Sequence, residues 1–488
     1  MTLVKPATDR TGRTGDGRSA PRGDLGLLSP AWAGSTAARL ADDAAFLQAM
    51  LDVEHAWVQV CREAGLSASP TDTPASLPAD DSANAAGHSP PAAPATPPAT
   101  DAEGEVVGAW ASQTYDLAEL AARTPLGANA LIPLLVQLRE RFADETHDAA
   151  ELALVHIGAT SQDVIDSALM LMASRVIDAT LPALHATCAS LADLARTHRE
   201  TLCVARTLGQ HALPSTFGLR AANWLEGLSQ ATADLRAARA TLPIQWAGAA
   251  GTGAALTAHL RAAGIATTAG RLRAGLADRL GLVDAPGWHT TRLPVTRLAG
   301  ALGGVLAAAG TLATDVITGS RTEIGEIAEP AAPGRGGSSA MPHKRNPVLS
   351  VTIRSAAISG PGHVSTIFAA AGLAGDERPD GAWHAEWPAL RELLRLVGGI
   401  APTMAELTAG LHVDPAALRR NLGLSLPAVL SEWATITGRD PVELDPAGYL
   451  GETQELITAI LRRHDERTGA RAADPPLNRN STAASAPP

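Results

Sequence analysis

The amino-acid sequence predicts an all-α protein, and three observations carry that expectation. From about residue 109 to 462 no run shows the two-residue alternation and β-branched enrichment that mark sheet strands. After Ser161 the residues Ile165, Ala168, Leu169, Met172, Val176 and Ile177 recur at helical spacing on one face. Aromatic residues make up only 3% of the chain, so the core has to be aliphatic and rich in alanine, and small side chains let long helices approach closely in a bundle. At 488 residues the chain exceeds one ordinary core, so two or three domains or one extended helical assembly are expected.

Taken in order, residues 1–24 have no apolar core of the kind a signal peptide carries and read as a disordered extension. An N-terminal helical domain is expected over 25–140. Leu40, Phe46, Leu47, Met50, Leu51, Val53, Trp57 and Val60 give it a helical period, with Ser29-Pro30 as an early start signal. Within it, residues 67–105 are Pro, Ala, Ser, Thr and Asp with hardly any large apolar side chain, and burial there cannot offset the entropy of ordering. That stretch reads as a disordered insertion. The central domain is placed at 141–373, with long helices over 217–240, 294–320 and 347–373. A smaller helical domain follows at 374–465, then a disordered tail at 466–488. Residues 298–314 are uncharged but mostly Ala and Gly, which reads as a buried helix instead of a membrane span.

Charge and cysteine usage exclude several classes of function. A net charge of −11 repels phosphate backbones and anionic lipid headgroups, so neither nucleic acid nor membrane is an expected partner. Cys61, Cys188 and Cys203 are odd in number, lack metal-ligand spacing and sit in apolar surroundings, which fits a reducing cytoplasm and gives no reason to expect a metal or another cofactor. Positive charge comes from 37 arginines and just two lysines, Lys5 and Lys344.

The richest segment is GRGGSSAMPHKRNPVLS, residues 334–350. A glycine-rich start bends closely around a ligand, paired serines offer hydroxyls and backbone donors, and His343, Lys344 and Arg345 concentrate positive charge. Asn346-Pro347 reads as N-cap and first residue of a helix, whose unpaired N–H groups favour an anion such as a carboxylate. In a chain so poor in lysine, Lys344 suggests a need for a compact ammonium. Thr160-Ser161-Gln162-Asp163 reads as a second helix start, with Thr160 or Ser161 at the N-cap and Asp163 near the third position, again able to face a carboxylate.

Three segments carry a resemblance. The 334–350 loop resembles the GSSxMPxKxNP signature of the fumarase, aspartase, argininosuccinate lyase and adenylosuccinate lyase superfamily. HIGATSQDVIDSALM at 156–170 is similar to its first shared region, and ARTLGQHALPSTFG at 205–218 stands in the place of its second. QHALPSTFGLRAANWL, WHTTRLPVTRLA and ERPDGAWHAEWPALREL look most like the bacterial 3-carboxy-cis,cis-muconate cycloisomerase family within that superfamily. The resemblance implies a three-domain protomer with a long central helix bundle. It also implies a homotetramer with a 20-helix core, and active sites shared between subunits.

The activity it implies is lactonisation of 3-carboxy-cis,cis-muconate, a small tricarboxylate, to 4-carboxymuconolactone in protocatechuate degradation. A carboxylate adds to a double bond through an aci-carboxylate intermediate. The expected catalytic residues are Ser338, Lys344 and Asn346, with Ser338 moving the proton and Lys344 stabilising negative charge. Thr160, Ser161, Gln210, His211, Ser339, Met341 and Arg292 are expected to contact substrate, Arg292 by bidentate pairing with a carboxylate. His289, Arg378 and His384 are weaker candidates.

One departure from the superfamily is chemical. Where many of these lyases carry Thr-His-Gly-Gln, with the histidine as general acid, this chain has Thr207-Leu208-Gly209-Gln210. An amine or hydroxide leaving group needs a proton, whereas a carboxylate, with an ordinary pKa of about 4, does not. Leu208 therefore fits cycloisomerisation and argues against adenylosuccinate cleavage, although His211 stands close enough in sequence to be a substitute acid. The alternatives are another fumarate-releasing lyase, or a catalytically silent structural homologue, against which Ser338, Lys344 and Asn346 speak.

Overall fold

The computed structural model describes residues 24–66, 108–144, 149–337, 341 and 344–469. Ser338, Ser339 and His343, and almost all of the expected extension, insertion and tail, lie outside the described residues.

The chain is all-α in its main body. It begins with α1 Thr36–Leu40 and α2 Asp43–Glu63, whose N-caps Ser35 and Asp42 accept from the backbone three residues on. The start at Ser29-Pro30 is a turn and not a helix, because these two caps set the entry points. Leu47, Met50, Leu51, Val53, Trp57, Val60 and Cys61 on α2 are buried, as their spacing requires. Next come α3 Leu117–Gly127, α4 Leu131–Asp144 and α5 Ala149–Leu152.

The centre is built on α6 Ser161–Thr197, which starts at the expected residue and is 37 residues long, about 55 Å at 1.5 Å per residue. It packs against α7 Phe217–Ala240. After α8 Ala254–Ala262 and α9 Ala269–Leu280 come α10 Leu293–Gly319, α11 Val348–Gly372 and α12 Gly381–Ala409. Helix α12 packs along both α6 and α11, so the bundle has five long helices and the boundary expected at residue 373 falls one helix short. Its buried face (Trp383, Leu390, Leu393, Leu394, Val397, Ile400, Met404) is as apolar as that of its neighbours.

The expectation of no strands fails at 202–216. Strands β1 Leu202–Thr207 and β2 Gln210–Thr216 form an antiparallel hairpin, with Leu202 opposite Thr216 and Thr207 opposite Gln210. Leu208 and Gly209 at its tip have φ of 52° and 80°, the two positive values that a twist-matched two-residue turn requires. The segment looked helical because its strands are half-exposed and poor in β-branched residues; Gly209 was the one local signal of a turn. A two-residue ladder joins β3 Ile327–Ala328 to β4 His412–Val413.

Behind the hairpin lies α13 Pro415–Gly423, followed by α14 Leu426–Val429, α15 Ser431–Thr437 and α16 Thr453–Thr468. Val204 of β1 shares a small separate core with Leu422, Val429, Leu430, Ala434 and Leu444, which fixes the hairpin on the C-terminal helices. Residues 466–468, expected in the tail, are the last turn of α16.

Helix α10 is long and apolar enough to cross a membrane by length and composition, yet it packs in the bundle against α7, α11 and α12. It is covered on one side only. Leu293, Arg297, Gly300, Gly304, Ala307, Thr311 and Thr314 recur every three or four residues and are exposed, and Val351, Ile358 and Phe368 stand exposed on α11.

Candidate active site

The N-terminus of α6 is the most heavily braced part of the molecule. Thr160 occupies the N-cap and Asp163 the third helical position, as the sequence suggests. Asp163 is fully buried and accepts from Thr160 N–H (2.9 Å), Ala247 N–H (2.9 Å), Gly248 N–H (2.9 Å) and Gln245 Nε2 (3.1 Å), with His289 Nε2 at 3.3 Å. Burial alone would raise its pKa, but hydrogen bonds from His289, Ala247 and Gln245 outweigh that and hold the carboxyl below its ordinary value. His289 is thus part of the scaffold beneath the helix end.

One turn deeper, Asp166 receives both terminal nitrogens of Arg292 (2.7 and 3.0 Å), Trp383 Nε1 (2.9 Å) and Gln162 Nε2 (3.1 Å). The same guanidinium binds Glu386 through Nε and a terminal nitrogen at 2.6 Å, while lying 4.7 Å over the Trp288 ring. Arg292 is 2% exposed. The expectation that it pairs with a substrate carboxylate is therefore corrected: its fork is filled by two carboxylates of this chain. Burial pushes the Glu386 pKa up and Arg292 counters only in part, with nearby Asp166 adding to the rise.

Arg378, in the segment between α11 and α12, meets the same helix end. It donates to Thr160 Oγ1 at 2.8 Å and has no acidic partner among the described residues. Thr160 and half-buried Ser161 thus meet an unpaired guanidinium at a helix N-terminus, an arrangement suited to a carboxylate. Sequence reasoning placed Arg292 ahead of Arg378, because no single-sequence signal separates a buried arginine from a half-exposed one. His384 is half-buried and its Nδ1 lies 3.0 Å from the Asp380 carbonyl.

The signature loop is pinned at its base. Asn346 N–H donates to Gly336 O at 2.9 Å and Gly337 bridges Arg345. Gly336 has φ +64°, and a Cβ there would meet Asn346 O at 2.5 Å, so only glycine closes this base. Lys344 and Asn346 are exposed, with Lys344 N–H donating to Met341 O at 3.0 Å, and Met341 itself is exposed. The helix after the loop starts at Val348 with Pro347 as N-cap, one residue later than expected. Its end does attract a carboxylate, but an internal one: Glu329 accepts Leu349 N–H (3.0 Å), Ser350 N–H (2.7 Å) and the Ser350 hydroxyl (2.6 Å).

At the hairpin, Gln210 is exposed and His211 Nδ1 lies 2.7 Å from Ser425 Oγ. Leu208 is fully exposed at the tip of the hairpin. Its position is consistent with chemistry that needs no acid at that point. Thr160 and Ser161, Gln210 and His211, and Lys344 and Asn346 form three groups with no hydrogen bond between any two of them. A cavity of about 670 Å³ against α2, α6 and α9 is lined by Gln48, Asp52, His55, Gln59, Arg175 and Arg279 among others, and holds none of the expected site residues.

A lyase family profile matches residues 130–360. Nitrosuccinate lyase of Streptomyces davaonensis is 39% identical over 466 residues, covering 94% of this chain and 90% of its own. The chain belongs to the fumarase/aspartase lyase superfamily. Within it, the 3-carboxy-cis,cis-muconate cycloisomerase of Pseudomonas aeruginosa is 40% identical over 365 residues, covering 74% of this chain and 76% of its own. The crystal structure of the corresponding lactonizing enzyme from Pseudomonas putida superposes with a TM-score of 0.71 at 29% identity, covering 88% of this chain and 97% of that one. This lyase-superfamily chain is accordingly similar to the cycloisomerases in fold and sequence, and to nitrosuccinate lyase over a longer span.

Proposed function

We propose that this superfamily enzyme eliminates a stable anion from a substituted succinate, with nitrosuccinate as substrate and fumarate and nitrite as products. The observation that carries the reading is Leu208, exposed and apolar at the hairpin tip where many relatives of the superfamily place a general acid. Nitrite, like a carboxylate, departs with the electron pair of the breaking bond and needs no proton. The 94% and 90% coverage shared with nitrosuccinate lyase favours this substrate.

In the proposed step Ser338 takes the proton from the carbon α to one carboxylate, negative charge passes onto that carboxylate as an aci-carboxylate, and the C–N bond breaks to release nitrite. Lys344 and Asn346 stabilise the aci form. Thr160, Ser161 and Arg378 hold the other carboxylate. A free serine is a weak base, so its alkoxide depends on the positive potential of Lys344 and the loop N–H groups.

A second reading, cycloisomerisation of 3-carboxy-cis,cis-muconate, is supported by the 40% identity to cycloisomerases and the 0.71 superposition. The same residues serve it, with Ser338 delivering a proton. In either case we propose a homotetramer with shared sites. The three unconnected residue groups and the uncovered faces of α10 and α11 support that arrangement. Incubating the protein with each substrate separately tests the reading. Nitrite from nitrosuccinate is expected; loss of diene absorbance from the muconate, without nitrite from nitrosuccinate, establishes the second reading instead.

A further inference from the structure

Arg292 is the N-cap of α10, and its guanidinium stands where the starts of three long helices meet. Asp166 comes from the second turn of α6 and Glu386 from the second turn of α12. All five N–H groups of the guanidinium are used. Nη1 donates to Asp166 Oδ2 (2.7 Å) and to the His289 carbonyl (3.4 Å), Nη2 to Asp166 Oδ1 (3.0 Å) and Glu386 Oε2 (2.6 Å), and Nε to the Glu386 carboxylate (3.1 Å). The three side chains are only 1% to 3% exposed, so water does not loosen the cluster. Trp383 Nε1 adds a direct bond from α12 to Asp166 of α6 at 2.9 Å. The helix ends joined in this way carry the groups of the carboxylate site. Thr160 and Ser161 open α6, and Arg378 stands just before α12, its Nη1 donating to Thr160 Oγ1 at 2.8 Å.

We infer that Arg292 is a positioning residue for substrate binding: through Asp166 and Glu386 it sets the spacing between the Thr160–Ser161 end of α6 and Arg378, and so the width of the carboxylate site. The inference rests on the proposed reading that those three residues hold a substrate carboxylate. Stability alone gives little reason for the cluster, since apolar side chains of similar volume often serve as well as buried ions. A planar fork, by contrast, fixes angle as well as distance, and a misplacement of about 1 Å in a binding group can cost about 100-fold in rate. Lysine is no substitute here. Its three donors on a flexible stem cannot serve two carboxylates and a carbonyl in one plane.

The test uses succinate, which carries two carboxylates without the leaving group, in calorimetric titrations of the full-length assembled protein. Two variants separate positioning from stability. Arg292→Lys keeps the charge and loses the fork. The triple variant Arg292→Met, Asp166→Asn, Glu386→Leu removes the buried charges together, while an amide at 166 still accepts from Trp383 or Gln162. The triple variant is expected to melt close to wild type, yet succinate affinity is expected to fall by about 10-fold or more in both. With a converted substrate, KM is expected to rise more than kcat falls, because Ser338 and Lys344 belong to the 334–350 loop and not to the braced helix ends. Wild-type succinate affinity in either folded variant overturns the inference. If one variant does not fold, the other decides; if neither folds, the cluster is a requirement of folding and the inference falls. A wild type that does not bind succinate removes the carboxylate site and the inference with it. A wild type that binds succinate but converts neither substrate, with affinity lost in the variants, removes the proposed reaction and leaves the positioning role standing.

Discussion

Leu208 carries the most chemical information of any single position. Its side chain is solvent-exposed and its backbone sits at φ 52°, a conformation histidine tolerates as well. Leu208→His is therefore expected to fold normally and to leave kcat within about threefold of wild type, because no proton transfer to the leaving group limits the rate. A gain of tenfold or more, read in steady-state kinetics, would show that proton delivery is limiting. Ser338→Ala is expected to lower turnover by roughly 100-fold or more while assembly persists, the scale of a lost proton-transfer group. A comparable loss in Ser339→Ala alone would move the role by one residue. Thr160, Ser161, Lys344 and Asn346 stood out as candidates in the sequence because hydroxyls beside a helix start and a lone lysine in a glycine loop have a chemical meaning. The choice between Arg292 and Arg378 was not legible. It depends on Asp166 and Glu386, which lie far apart in sequence and meet Arg292 only in the folded bundle.

The end of α6 behaves as one braced unit. Asp163 has a pKa held below its ordinary value, so its contribution to stability is fully present above about pH 4 and is lost as pH falls through the lowered value. Asp163→Asn places an amide N–H₂ against donors that now share one carboxylate, and is expected to cost about 2–4 kcal/mol at neutral pH. Thermal melts across pH check this: the gap between variant and wild type should narrow on acidification, and a gap independent of pH contradicts the assignment. The start of α6 at Ser161 and the bounds of α7, α10 and α11 were readable to within a residue or two, whereas α12 was not marked out as a long helix. The hairpin was not, because it is stabilised by a distant partner, the small core around Val204 and Leu430, and not by a pattern of its own.

The five-helix bundle leaves a stripe of small residues on α10 uncovered, which supports the proposed tetramer. Ala307→Glu puts a charge in that stripe. Light scattering is expected to show a tetramer for wild type and smaller species for the variant, with turnover lost in parallel if sites are shared between subunits. A variant that remains assembled and active contradicts the use of this face. Replacing residues 67–105 with a short Gly/Ser linker is expected to leave turnover unchanged, because the segment has too few large apolar side chains to add to a core and a change in the length of a connection alters closure entropy only slightly. The superfamily was readable from three motifs, yet the substrate was not. Elimination of nitrite and addition of a carboxylate use the same groups: no acid is needed at Leu208, Ser338 takes up a proton in the first and delivers one in the second, and Lys344 supplies a positive potential in both. The most direct measurement is the yield of nitrite and fumarate from nitrosuccinate treated with the purified protein. The proposed reaction predicts the two products in equal amounts and at a rate that depends on Ser338. Fumarate without nitrite, or no turnover of nitrosuccinate at enzyme concentrations that lactonise the muconate, would contradict it.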